Sequence, residues 1–279
     1  MHGKLFVCAT PIGNLEDVTL RVLRILGEVD LVAAEDTRRT RKLLTHHGIK
    51  ARLVAYHDRN ERAEAPRLLE RLERGENLAL VSDAGMPTLS DPGYRLVRAC
   101  IDAGVPIEVV PGASAVPTAL AASGLPADRF VFEGFLPRSP GERRRRLDAL
   151  AEEDRTMVFF EAPNRLAGTL EEIRSAMGDR RVAVARELTK QHEEVVRATI
   201  GEVLDALEGR EVLGEVVIVV QGGLPTASMD EAVAAAARLL QKGESRSQAA
   251  AAAAREFGVK RREVYEALKS YSAEKGSQG

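Results

Sequence analysis

Three short loops in this chain carry the side chains best suited to hold a small polar ligand, and each follows an apolar run. The first, ATPIGNLEDVTL (residues 9–20), turns on Pro11 and Gly13. It contains neither GxGxxG nor GxxxxGK[ST], which disfavours an NAD or ATP site of either kind. The second, LVSDAGMPTLSDPG (80–93), sets small residues at Ser82, Ala84 and Gly85, where a ligand can approach the backbone. Asp83 and Asp91 add acceptors for ammonium and hydroxyl donors. Asp91 also reads as the cap of the next helix, with Pro92 in its first turn, whereas Asp83 sits too early to cap it. The third, VVPGASAVPTALAASGLP (109–126), turns at Pro111 and Gly112 and opens an Ala-rich helix at Ser114. Singly, each loop is ordinary turn chemistry. In succession at strand ends, they offer one ligand three walls.

The elements that must position these loops are legible as an alternation. KLFVCA (4–9), DLVAAE (30–35), RLVAY (52–56), NLALVS (77–82) and PIEVVPG (106–112) read as strands. Between them lie helical patterns at 18–29, 40–46, 61–74 and after SDPG, the last closing at Gly104. Such alternation predicts an α/β unit on a mostly parallel sheet. LPADRFVFEGFLPRSPG (125–141) gathers Pro, Gly and a short strand, and marks the connection to a second α/β unit. That unit has strands at 156–161, 181–187 and 214–221 and a helix near 165–177. GGLPTAS then breaks the pattern before a helical tail. The expected division is 1–124, 125–225 and 226–279.

Composition sets the outer limits. The 279 residues fit two compact domains with a small appendage, and 44% apolar with 29% charged residues describes a folded chain. Cys8 and Cys100 share no metal-ligand or disulfide spacing, so a reducing cytoplasm is expected. The apolar start, Leu5 to Ala9, is too short for a signal peptide, and no run reaches the ~20 residues of a membrane span. The formal net charge of -2 argues against a generic nucleic-acid coat without excluding local basic faces.

Taken together and in order, ATPIGNLEDVTL, VAAEDTRRTRKLL, VSDAGMPTLSDPGYRL, VVPGASAVPTALAASGLP, FEGFLPR, FFEAPNRL and ARELTK resemble the ribosomal RNA small subunit methyltransferase I family. The likeness is collinear from Lys4 to about Gln221. It implies a tetrapyrrole methylase type of fold, two α/β domains with S-adenosylmethionine in the cleft between them, and a homodimer. The implied reaction is 2'-O-methylation of a cytidine in 16S rRNA, on bare RNA or the assembled 30S subunit. The donor is expected at Pro11, at Ala84 to Met86 and Leu89, and at Ser114 and Ala115. Glu161, Ala162 and Leu188 are expected to contribute from the second domain. Ser82 and Asp83 join this set from the loop chemistry above. Met86, Thr88 and Leu89 depart from the DAGTPGISDPG expected there, and Met86 removes a hydroxyl donor.

A 2'-O transfer needs the hydroxyl aligned with the methyl group, its proton removed and water excluded. Polar clusters at strand ends supply candidates. Asp36, Glu187 and Lys190 are the expected bases, Lys190 through a pKa depressed by burial. The same residues also read as a salt-bridged domain interface. Arg38, Arg41, His57, Asn60 and Arg165 are expected against RNA, with Arg143 and Arg146 of GERRRRLDAL as phosphate contacts. No metal is required, and adjacent His46 and His47 read as surface residues. In the tail, residues 245–271 have the layout of a helix-turn-helix. Ala254 is placed at the crossing, Phe257-Gly258-Val259 at the turn, and Lys260 and Arg261 at the start of the second helix, where they would grip RNA. Two other readings stand beside this one. A tetrapyrrole-like small-molecule methyltransferase keeps fold and donor but leaves the basic clusters unexplained; a DNA-binding regulator would show duplex binding without turnover.

Overall fold

The computed structural model describes residues 2–223, 229–257 and 259–276. The expected boundary at 225/226, Gly258 of the expected turn and the last three residues lie outside the described residues. The first sheet contains β1 (Leu5–Cys8), β2 (Leu31–Ala34), β3 (Leu53–Ala55), β4 (Leu78–Val81) and β5 (Ile107–Val110), all parallel, in the order β3-β2-β4-β1-β5. β2 and β4 are buried at every position, which is why they read as unbroken apolar runs rather than alternating ones. Helices cover both faces. On one, α1 (Leu20–Glu28) and α2 (Thr37–His46) pack Val22, Ile25, Leu26, Leu43 and Leu44 against the strands. On the other, α3 (Glu61–Glu73) and α4 (Tyr94–Asp102) pack Leu68, Leu72, Leu96 and Cys100.

The second sheet is mixed. β6 (Phe130–Phe135) pairs in parallel with β7 (Thr156–Glu161), and antiparallel pairing continues through β8 (Arg181–Arg186), β9 (Glu194–Thr199) and β10 (Val216–Val220) in the order β6-β7-β10-β8-β9. One face carries α6 (Pro140–Ala149), α7 (Leu166–Met177) and α8 (Ile200–Leu207), with Leu147, Leu170, Ile173 and Val203 in the core. The opposite face receives α5 (Ala115–Ser123), whose Val116, Ala119 and Leu120 meet Val158, Ala183 and Val219. α5 begins on the loop after β5, so this one helix ties the first sheet's loop to the second sheet's surface.

In the tail, α9 (Met229–Gln241), α10 (Arg246–Glu256) and α11 (Arg261–Gly276) enclose a core of Ala232, Ala236, Ala249, Ala250, Ala253, Val264 and Leu268. Ser245 caps α10 through a reciprocal bond pattern with Gln248. Ala253 is fully buried at this crossing, with Ala254 packed beside it.

Candidate active site

β4, β1 and β5 are neighbours in the first sheet, so the three loops that leave their carboxyl ends lie side by side. Two of them are stitched together. Thr10 and Gly85 exchange both backbone hydrogen bonds, at 2.8 and 3.0 Å, and the Thr10 hydroxyl donates to the Ser82 carbonyl at 3.0 Å. Gly85 makes this turn at φ 80°, a left-handed backbone that a side chain would strain. The third loop brings Ser114 and Ala115, and the second sheet closes the other side with Phe160 to Pro163, Leu188 and Gly214 to Val217. The open cavity between them measures about 370 Å³, a size and a mainly apolar character suited to a small organic ligand.

Contact between the two halves depends on glycine. A Cβ on Gly13 would stand 2.5 Å from Lys190 Cγ and 2.7 Å from the Leu188 carbonyl. Within the second half, one on Gly214 would fall inside the Glu187 side chain, so that loop too is packed on glycine. Thr88, Ser90, Glu187 and Thr189 all have positive φ although none is glycine, and all four lie in the two loops that face each other across the cavity. Such backbone persists where the surroundings over-determine it, which is common at ligand sites.

Glu161, at the end of β7, is 3% exposed. It is held by the Ala162 amide at 2.8 Å and the Thr169 hydroxyl at 2.6 Å, with Arg165 Nε at 3.4 Å. Lys190 Nζ reaches Glu187 at 2.9 Å and Glu215 at 3.1 Å. Although burial pulls its pKa down, these two carboxylates outweigh that and leave it raised. Asp91 also lines the cavity. Burial, with the nearby Glu35 charge next, pushes its carboxyl up to about 7, against a hydrogen bond with Ser82 that acts the other way.

Of the residues expected around a donor, Ala84, Gly85, Met86, Leu89, Ser114, Ala115, Glu161, Ala162 and Leu188 line this cavity. Pro11 does not; the next residue, Ile12, takes the wall position. Ser82 is buried and turned toward the Ala84 and Gly85 carbonyls. Asp83 is spent on the loop frame, since its carboxylate accepts from the Asp36 amide while its own amide donates to Glu35. Asp91 is not a helix cap. α4 starts at Tyr94 behind Gly93 at φ 139°, where a Cβ would meet Leu80 at 2.9 Å. Phe135, Ser90 and Gly214 to Val217 also reach the cavity; Phe135 and Ser90 lie within FEGFLPR and the second loop without an expected donor role, and residues 214–217 read only as part of a strand.

The three expected bases are engaged otherwise. Lys190 is doubly ion-paired and stays protonated. Glu187 is lowered by Lys190 and the Glu215 amide. Asp36 caps α2, and its side-chain bond with Arg38 lowers it strongly. Among the residues expected against RNA, Asn60 is turned inward, accepting from the His57 amide at 2.8 Å and donating to the Ala55 carbonyl at 2.9 Å. His57 Nδ1 is buried. Arg143 is clamped on Glu172 and on the Pro137 and Arg138 carbonyls, and Arg146 grips Glu133 with two nitrogens. Arg38 and Arg41 face solvent at the start of α2, although Arg38 is paired with Asp36. Lys260 is exposed beside Glu263, and Arg261 donates to Ser247.

Ribosomal RNA small subunit methyltransferase I of Escherichia coli O157:H7 is 47% identical over 95% of this chain and 94% of its own. The Thermotoga maritima protein of that name is 49% identical over 79% of this chain and 99% of its own. A family model for tetrapyrrole (corrin/porphyrin) methylases matches residues 4–204. The chain belongs to the ribosomal RNA small subunit methyltransferase I family of the tetrapyrrole methylases. The tetrapyrrole methylase fold is shared with uroporphyrin-III C-methyltransferase from Thermus thermophilus, solved in complex with S-adenyl homocysteine. That structure matches with a TM-score of 0.58 at 21% identity, over 78% of this chain and 97% of the other.

Proposed function

We propose that this chain transfers the methyl group of S-adenosylmethionine to the 2'-hydroxyl of a cytidine ribose in 16S rRNA of the small ribosomal subunit, as a cytoplasmic homodimer. The observation that carries this reading is the near-full-length similarity to small-subunit rRNA methyltransferases. The cavity supports it chemically. The left-handed turn at Gly85 and the small Ala84, Ser114, Ala115 and Ala162 leave room against the backbone, while Ile12, Leu89, Val116 and Leu188 supply an apolar wall. These residues would hold the donor, which when bound supplies a methyl group activated on sulfonium. Burial by loops from both halves would exclude water from the transfer.

A second hollow, of about 610 Å³, opens beside the first and shares Phe135, Glu161 and Ala162 with it. Arg138, Asn164 and Arg165 line this side, and Arg165 Nη2 is buried without a hydrogen-bond partner. That chemistry suits the acceptor nucleotide: an aromatic ring, an amide and guanidinium groups around a phosphodiester-linked sugar. Arg38, Arg41, Lys260 and Arg261 are the surface cations for flanking phosphates. In folding terms, residues 1–124 and 125–225 would be the two α/β units and 226–279 an accessory RNA grip.

The test incubates the protein with methyl-labelled donor and either 30S subunits, bare 16S rRNA or duplex DNA, and maps the modified nucleotide. Label on a cytidine ribose of small-subunit RNA supports the reading; a donor-binding preparation that labels no RNA refutes it. Sedimentation of the purified chain tests the dimer.

A further inference from the structure

β6 carries an irregularity that decides where one aromatic ring points. Phe132 and Phe135 are three residues apart, so in an unbroken strand they would face opposite sides of the sheet. Instead both rings meet Phe160, at 5.0 and 5.6 Å between centroids. The cause is a bulge: pairing with β7 shifts between Phe132 and Gly134, which leaves Glu133 as an extra residue. Val131 and Leu136 thereby join the core on the other face. The bulge is firmly held. Arg146 grips the Glu133 carboxylate at 2.7 and 2.8 Å, and Gly134 adopts φ 61° so close to Ser90 that a Cβ would stand 2.9 Å from its Oγ.

The ring turned by this bulge stands at the seam between the two hollows and lines both. They also share Glu161, which is engaged by Ala162, Thr169 and Arg165, and Ala162, which offers only a methyl group. Phe160 lines the first cavity and backs the Phe135 ring edge-on, yet Phe135 remains 57% exposed. Turning a phenyl ring into water contributes little to folding, because its apolar surface stays wet. It suits a flat partner that covers the ring on binding.

We propose that Phe135 is the stacking platform for the acceptor pyrimidine, an inference that rests on the 2'-O-methylation reading above. A base in folded RNA is stacked on its neighbours, and bringing its ribose to a buried donor requires that stacking to be given up. The Phe135 ring replaces it. On the remaining walls of the second hollow, the Arg138 and Arg165 guanidinium groups and the Asn164 amide supply hydrogen-bond donors for the base edge, sugar and phosphate. With the base on the second-hollow side of the ring, the attached ribose lies at the seam, where its 2'-hydroxyl meets the methyl group held in the first cavity.

The experiment measures single-turnover methylation at saturating donor over a range of 16S rRNA or 30S concentrations, for wild type, Phe135→Tyr, Phe135→Leu and Phe135→Ala, with donor affinity read separately by calorimetry. Phe135→Ala and Phe135→Leu are expected to lower methylation efficiency by about ten- to a hundredfold while binding donor nearly as well. Phe135→Tyr, which keeps a flat ring, is expected to stay close to wild type. Because the sequence contains no Trp, Phe135→Trp introduces a single indole; its emission should be quenched on adding the RNA substrate and change little with S-adenosylmethionine alone. The proposal is overturned if Phe135→Leu methylates as well as Phe135→Tyr, since apolar bulk would then suffice. It is equally overturned if donor affinity falls as far as efficiency, or if the donor alone quenches the indole as fully as RNA, because Phe135 would then be a wall of the donor site. Wild type that labels no RNA removes the function reading and this inference together; active wild type with Phe135→Leu equal to Phe135→Tyr removes this inference alone.

Discussion

Holding Asp91 in the cavity has a cost that stability measurements detect without any substrate. Its carboxyl, ordinarily at 3.8, is pushed up to about 7 by burial first and by Glu35 next. At about 1.4 kcal/mol per pH unit, that displacement sets a ceiling of about 4 kcal/mol. The side chain is only half-buried, and discounting for solvent screening leaves about 1–2 kcal/mol. The sign follows from which form the fold prefers. Below 3.8 the carboxyl is neutral in both folded and unfolded chains, and wild type carries no penalty. As pH rises toward 7 the unfolded chain ionises freely while the folded chain resists, so wild type loses stability until the folded carboxyl has also ionised. Asp91→Asn escapes this loss. The variant's advantage over wild type should therefore widen by about 1–2 kcal/mol between pH 4 and pH 8 and then stay constant, a gain of roughly 2–8 °C in Tm. Thermal unfolding followed by circular dichroism across that range measures it. A difference that stays flat with pH, or widens in favour of wild type, would show that the Asp91 carboxyl is as easily ionised in the fold as in water, and the argument from burial would fail.

Three further outcomes are expected. Gly13→Ala should weaken donor binding by calorimetry and destabilise the chain by about 1–3 kcal/mol, because its Cβ would collide with Lys190 and the Leu188 carbonyl across the cavity. Substituting Arg143 or Arg146 should leave the salt dependence of 30S binding unchanged and lower stability instead, since Glu172 and Glu133 already neutralise them; Arg41→Ala should reduce the slope of log affinity against log salt by about one. Cys8 and Cys100 should resist a thiol reagent in the native protein and react after unfolding, because burial pushes them up to about 12 and about 11.

The parallel sheet was legible because its strands are short apolar runs between amphipathic helices, a signal that survives without tertiary knowledge. The strand order was not. Only the arrangement β4-β1-β5 explains why loops separated by tens of residues share one cavity. β9 and α8 were missed altogether: β9 is a sheet edge carrying Glu194 and Arg197, too polar to stand out, although Thr199 and Glu202 form the capping box that starts α8. At the site, small residues beside strand ends were sufficient to mark the cavity wall, because close approach to backbone is a local property. Charge is not local. Lys190 looked like a base until Glu215, 25 residues further on, proved to hold it. Asp91 looked like a cap because Ser-Asp-Pro-Gly is cap chemistry read along the chain. Gly93 and the two left-handed residues before Asp91 delay the helix and turn that carboxylate toward the cavity instead. The conflict between a strong local cap signal and the strained backbone that overrides it is therefore itself a pointer to function, since strain of about 1–3 kcal/mol per residue persists only where the rest of the fold maintains it.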